Sequence, residues 1–95
     1  MGLRFNHGAN GDVDTTAEQL VTSSIAPSIG ILVKASGTNT GIIYVGNSDV
    51  TAGGTDATDG FELDAGESLM IEGRDADEIY VIASVANQRV SYIVI

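Results

Sequence analysis

Short apolar segments, each closed by a turn rich in glycine, asparagine or aspartate, recur along most of this 95-residue chain. Their lengths and their Val, Ile and Tyr content are typical of β-strands. No segment shows the apolar repeat of a convincing amphipathic helix. The pattern predicts an all-β fold, a small antiparallel β-sandwich that is jelly-roll-like or Ig-like, with an extended N-terminal arm. The predicted strands cover residues 29–35, 42–45, 67–72, 78–85 and 89–95.

Two segments need separate interpretation. Residues 29–35 and 42–45 are separated by the turn sequence SGTN at 36–39, a spacing that predicts a β-hairpin. Residues 15–25 (TTAEQLVTSSI) are ambiguous, because their Thr, Val and Ile favour a strand whereas AEQL would suit a helical turn. We favour a strand there.

The sequence GFELDAGE at residues 60–67 predicts a structural corner between two strands. Gly46, Gly60 and Gly66 are expected to fix sharp changes of direction, because glycine adopts positive φ without a steric penalty. Phe61 and Leu63 lie two residues apart, so both are predicted to point to the same side of an extended chain, into the core.

The first fourteen residues are rich in Gly and Asn and show no period. The predicted organisation is therefore a flexible N-terminal arm over residues 1–14 and a β-sandwich domain over residues 15–95. The arm is either a loose terminus or a segment that becomes ordered only on a neighbouring protein. In the second case Leu3 and Phe5 would be its apolar anchors and Arg4 its ion-pair donor.

Charge and composition exclude several classes of partner. Four basic residues face 13 acidic ones, which gives a net charge of −9, so binding to nucleic acid is not expected. The chain contains no cysteine, and hence neither a disulfide framework nor a thiolate site. No apolar run approaches the ~20 residues that span a bilayer, so no membrane association is predicted, nor is a secretory signal.

No constellation of residues indicates catalysis or a cofactor. A single His and no Cys exclude the usual zinc ligand sets and a Ser-His-Asp arrangement. The acidic loop at residues 49–67 suggests calcium, but it lacks the spacing of an EF-hand, and a solvated loop is favoured. We therefore predict no catalytic residue, no metal site, no cofactor and no enzymatic activity.

The last two predicted strands are apolar on both faces. A strand that is half exposed to solvent should alternate apolar with polar residues, so the outer faces need a cover. A second copy of the chain is the predicted cover, and burial of both faces within one subunit is the alternative. Together with the arm, this predicts a partner interface at Leu3, Arg4, Phe5, Tyr80, Ile82, Ile93 and Ile95.

The apolar segments and glycines also form a recognisable combination of motifs. They are IYVG at 43–46, Val50, GFELDAGES at 60–68, IYVIAS at 79–84 and VSYI at 90–93. This combination resembles a family of small tailed-bacteriophage virion proteins, the capsid cement (decoration) or head-fibre β-sandwich proteins. The insertion at residues 53–58 departs from the shorter loop of that family.

The resemblance implies a structural, non-enzymatic function. The chain would be a cement protein that binds the outer face of the phage head as an oligomer and stabilises the shell against internal DNA pressure. Its partner would be the major capsid protein. A homotrimer is expected, since capsids offer local three-fold positions. The protein would be made in the host bacterial cytoplasm and located on the exterior of the virion capsid. The alternative is a fibre or tail-associated module that recognises a host surface glycan.

Overall fold

Eight β-strands and one short 3-10 turn make up the regular structure of residues 6–95, the part of the chain that this computed structural model describes. The 3-10 turn, Ala76–Glu78, precedes the seventh strand. The strands are β1 Asn6–Val13, β2 Glu18–Gln19, β3 Ile31–Ala35, β4 Ile43–Gly46, β5 Phe61–Leu63, β6 Ser68–Ile71, β7 Tyr80–Ala83 and β8 Gln88–Val94.

The strands form two four-stranded antiparallel sheets. Sheet A has the order β1-β8-β3-β6 and sheet B has the order β2-β7-β4-β5. Consecutive strands change sheet at each connection except β4 to β5. Two sheets with this order have the connectivity of an eight-stranded jelly roll. The prediction of an all-β sandwich is confirmed, and the strand order matches the jelly-roll-like alternative.

The core lies between the two sheets and is built from the strand positions that point inward. Alternation along β3 shows the pattern, because Ile31, Val33 and Ala35 are fully buried while Lys34 is exposed. Burial of such aliphatic side chains is the main favourable contribution to the stability of the sandwich. The largest fully buried side chains are Ile31, Ile43, Leu63, Val13, Val33, Val81, Val90 and Val94.

The predicted hairpin between residues 29–35 and 42–45 is wrong, because β3 belongs to sheet A and β4 to sheet B. The turn between them carries the chain from one sheet to the other. The buried Gln88 side chain holds this crossing, since its Oε1 accepts hydrogen bonds from the amides of Thr40 and Gly41, each at 2.8 Å. Its Nε2 donates to the carbonyl oxygen of Ala86 in the β7–β8 crossing. One side chain thus connects two crossings that no local turn signal distinguishes from hairpins.

The prediction of a flexible arm over residues 1–14 is also corrected. Strand β1 pairs with β8 from Asn6 opposite Val94 to Val13 opposite Gln88, so residues 6–13 belong to the sandwich. Backbone pairing needs few apolar side chains, and for this reason composition did not indicate the strand. Residues 1–5 lie outside the described part of the chain, and the anchors predicted there stay a prediction.

The ambiguous segment at residues 15–25 contains only the two-residue strand β2. Beyond β2, the carboxylate of Asp75 holds the chain against the 3-10 turn. It accepts hydrogen bonds from the Ser24 hydroxyl at 2.6 Å and from the amides of Ile25 and Asp77 at 2.9 and 3.1 Å. These hydrogen bonds lower the pKa of Asp75 to about 2, and the bond from Ser24 has the largest effect. The same carboxylate raises the pKa of Asp77.

The lowered pKa of Asp75 predicts a loss of stability in acid. The ionised Asp75 carboxylate contributes to stability at pH values above its ordinary pKa of 3.8, and this contribution is lost as the pH falls through about 2. The comparison uses an Asp77→Asn background, in which the neighbouring carboxyl does not titrate. In this background we expect Asp75→Ala to lower the thermal midpoint most above pH ~4. The gap between the two proteins should close towards pH ~2. A gap that stays constant over this range would show that the ionised carboxylate is not needed.

Candidate interaction surface

The outer face of sheet B is covered by the chain itself. The β4–β5 loop, residues 47–60, packs the side chain of Val50 against Tyr44 and Ile82, and these three side chains form a small second core. Ile82 is only 7% exposed. Tyr80 is half-buried against the same cluster. The prediction that a second copy covers Ile82 is therefore wrong, because the loop of the same subunit covers it.

Hydrogen bonds within the loop keep it in this position. The Thr51 hydroxyl donates to Oδ1 of Asp59 at 2.6 Å, and Oδ2 of Asp59 accepts from the amide of Asp56 at 3.0 Å. The bond from Thr51 is the main reason that the pKa of Asp59 is lowered. Burial, followed by the nearby Glu62 and Asp59 carboxylates, raises the pKa of Tyr44 beneath the loop. The loop thus covers the outer face of sheet B.

Between residues 6 and 95, no group of three or more His, Cys, Asp or Glu side chains could hold a metal ion. No helix in that same range is long and apolar enough to cross a membrane.

The outer face of sheet A has no comparable cover within the described chain. Strand pairing aligns one row of side chains across all four strands of this face: His7, Ile93, Leu32 and Met70. Ile93 is 38% exposed and Met70 is 40% exposed. We call Ile93, Leu32 and Met70 the apolar row. It is a strip of aliphatic and thioether surface crossing the middle of a sheet.

The charge beside the apolar row differs in sign from that of the whole molecule. The next row across the sheet contains Ala9, Ser91, Lys34 and Ser68. The two rows together contain one lysine and no carboxylate. Arg89 is exposed and extends over Gly11 of β1 on the same face. Glu72, directly after β6, lies at the rim beside Gly30. This face therefore carries Lys34 and Arg89 against Glu72 at its rim, whereas the whole chain has a net charge of −9.

The predicted interface residues do not come together on one surface. Ile93 lies in the apolar row. Ile95 is half-buried at the end of the same sheet, where its amide donates to Gly30 and its carbonyl oxygen accepts from Ile29 and Gly30. Tyr80 and Ile82 lie on sheet B, and Leu3, Arg4 and Phe5 are among the residues not described. Sequence reasoning missed Leu32 and Met70, although ILVKA and SLMI are also apolar at consecutive positions.

Phe61 is the second exposed apolar feature and corrects another prediction. It was expected to point into the core with Leu63, and it pairs with Val45 as Leu63 pairs with Ile43. Leu63 is buried, but Phe61 is 60% exposed because it lies at the rim of the edge strand β5. A shallow groove beside it is lined by Phe61, Glu62, Leu63, Gly66, Glu67 and Ser68.

No protein family, curated protein or solved structure matches the chain. The surfaces described above, the uncovered face of sheet A and the edge at Phe61, are therefore the basis on which a function can be assigned.

Proposed function

We propose that this protein is a non-enzymatic cement protein that binds the outer face of a tailed-bacteriophage head. The observation that supports the proposal most is the jelly-roll strand order, an architecture that viral capsid domains share with lectin and cupin domains. Since one fold serves many functions, the strand order supports the proposal without deciding it.

The location of the sequence motifs also supports the proposal. IYVG forms β4, Val50 fixes the loop over sheet B, and GFELDAGES forms β5 and the corner into β6. The residues that resemble phage virion proteins are thus the ones that build the scaffold. The described surface offers shallow apolar and charged patches, which suit attachment to another protein.

The proposed mechanism is stabilisation of the shell by binding. A protein that binds the assembled shell and not its dissociated subunits shifts the equilibrium towards the assembled state. The proposed partner is the major capsid protein, and the proposed oligomer is a homotrimer on the exterior of the virion, made in the bacterial cytoplasm. Several attachment points in one oligomer would raise the avidity well above that of a single point.

The alternative, a module that recognises a host glycan, has one observation in its favour, the exposed ring of Phe61. Aromatic rings bind apolar faces of ligands, but the groove beside Phe61 is lined by no second aromatic residue. Tyr44 lies buried beneath the β4–β5 loop. We therefore prefer the cement function.

Co-sedimentation with empty heads of the phage that encodes the chain tests the proposal. We expect the full chain to sediment with the heads and to raise the temperature at which they disassemble. Removing residues 1–5 should weaken binding at least tenfold if Leu3 and Phe5 are anchors, since burying each contributes about 1.5–3 kcal/mol. Deleting further is unsuitable, because β1 begins at Asn6.

The two possible failures have different meanings. A full-length protein that stays in the supernatant at every concentration would overturn the cement function. A protein without residues 1–5 that binds as well as the full chain would overturn only the role of Leu3, Arg4 and Phe5. The thermal midpoint of the shortened protein should stay unchanged, and this measurement serves as its control.

A further inference from the structure

We infer that copies of this chain associate head to tail, with Phe61 of one copy seated on the apolar row of the next. The inference rests on the oligomeric part of the proposed function and identifies the two surfaces that meet. One surface is the outer face of sheet A, and the other is the edge formed by β5 and the corner before β6. The occupant of the sheet A face is therefore a second copy of this chain.

The two surfaces complement each other in apolar character. Phe61 exposes 60% of its surface at the rim of β5. The apolar row offers Ile93 and Met70 as exposed side chains, with the partly exposed Leu32 between them. An aromatic side chain seated on aliphatic neighbours is the kind of anchor that contributes most to a protein interface. The exposed apolar surfaces of both sites would then be removed from water in a single contact.

The two surfaces also complement each other in charge. The groove beside Phe61 is also lined by two exposed acidic residues, Glu62 and Glu67. Glu67 is held in place, because its Oε1 accepts a hydrogen bond from the amide of Asp64 at 2.8 Å. On the sheet A face, Lys34 lies in the row next to the apolar row and Arg89 lies beyond it on the same side, whereas Glu72 lies at the opposite rim. The carboxylates beside the aromatic knob, Phe61, would therefore face the part of sheet A that carries Lys34 and Arg89.

The same charges disfavour the simplest alternative, in which two copies pack sheet A against sheet A. Such a symmetric contact would bring Lys34 and Arg89 of both copies to one interface that has few carboxylates. A head-to-tail contact joins two different surfaces, so it propagates from copy to copy until a ring closes. The proposed homotrimer is such a ring.

Two complementary variants test the contact in solution. Phe61→Glu removes the knob and keeps the sheet A face, whereas Ile93→Glu keeps the knob and places a carboxylate in the apolar row. Light scattering should give about three times 9.8 kDa for the natural chain and 9.8 kDa for either variant alone. An equimolar mixture should form a dimer and stop there, because it retains one intact knob and one intact face.

Controls separate loss of the contact from loss of the fold. Both substituted side chains are exposed, so the thermal midpoints of the monomeric variants should agree with each other. If Ile93→Glu unfolds, Met70→Glu on the edge strand β6 replaces it. Val85→Glu changes an exposed apolar residue, 45% accessible, in the β7–β8 connection and should leave the oligomer intact.

Four results would overturn the inference: a monomeric natural chain, an oligomer that survives either variant, a mixture that remains monomeric, or dissociation by Val85→Glu. Co-sedimentation with phage heads is measured separately. If the natural chain is monomeric but still binds the heads, the proposed contact is overturned and the cement function is kept. If the ring forms but binds no heads, the cement function is overturned and the contact is kept.

Discussion

Leu63→Ala should lower the free energy of unfolding by about 2–5 kcal/mol, whereas Phe61→Ala should change it by less than about 0.5 kcal/mol. The two residues lie on the same strand with the same predicted orientation. Leu63 is fully buried between the sheets, so its truncation leaves a cavity in a close-packed core. Phe61 lies at the rim, and its truncation removes a ring that is mostly in water.

Chemical denaturation measures both values. The two substitutions are best made in the Ile93→Glu background, because loss of the proposed ring would otherwise add to the apparent effect of Phe61→Ala. If Phe61→Ala in this background lowered the free energy of unfolding by more than about 2 kcal/mol, the phenyl group of Phe61 would be packed into the sandwich, and the edge at β5 would not be a free surface.

The local structure of this chain could be predicted from its sequence, since the signals for it are local. The run ILVKA indicates a strand by its β-branched residues, and β3 occupies these five residues. The polar turn at residues 36–39 was likewise predicted, although it joins strands of different sheets. The position of Gly66 at a sharp corner was expected, and its φ of +87° agrees with the reason given.

Pairing between strands could not be predicted in the same way. A turn of four residues suits a hairpin and a crossing between sheets equally well, so β3 and β4 were wrongly paired. Strand β1 was missed because its partner β8 lies at the opposite end of the chain and the pairing uses backbone groups. Contacts of this separation leave no local trace in one sequence.

The candidate surface was predicted in part for a related reason. Ile93 and Ile82 have the same signal, an apolar residue on the second face of a strand, yet one is exposed and the other buried. The difference arises from the loop at residues 47–60, which folds over sheet B and leaves sheet A open. Sequence pattern shows that a face needs a cover, but it does not show which segment supplies it.

Glycine substitutions at three positions separate two causes of glycine preference that the sequence could not distinguish. Gly60 was expected to need positive φ, and it does not, whereas Gly66 does. A Cβ at Gly60 would lie 2.7 Å from the carbonyl oxygen of Val45 and 2.6 Å from Cγ2 of Val50. A Cβ at Gly66 or Gly53 would meet nothing within 4 Å. Steric space therefore restricts Gly60, and backbone conformation restricts Gly66.

We expect Gly60→Ala to lower the free energy of unfolding by about 3 kcal/mol, because the backbone of Val45 cannot move without breaking its pairing in sheet B. Gly66→Ala should lower it by about 1–2 kcal/mol, the strain of a left-handed conformation. Gly53→Ala, the matched control, should stay within about 0.5 kcal/mol of the natural chain. Chemical denaturation of the three variants gives this order directly. If Gly66→Ala proved the most damaging, conformation rather than close packing would be the main constraint on the corner. The close packing matters beyond Gly60 itself, since displacing Val50 would lift the loop from Tyr44 and Ile82 and expose the outer face of sheet B.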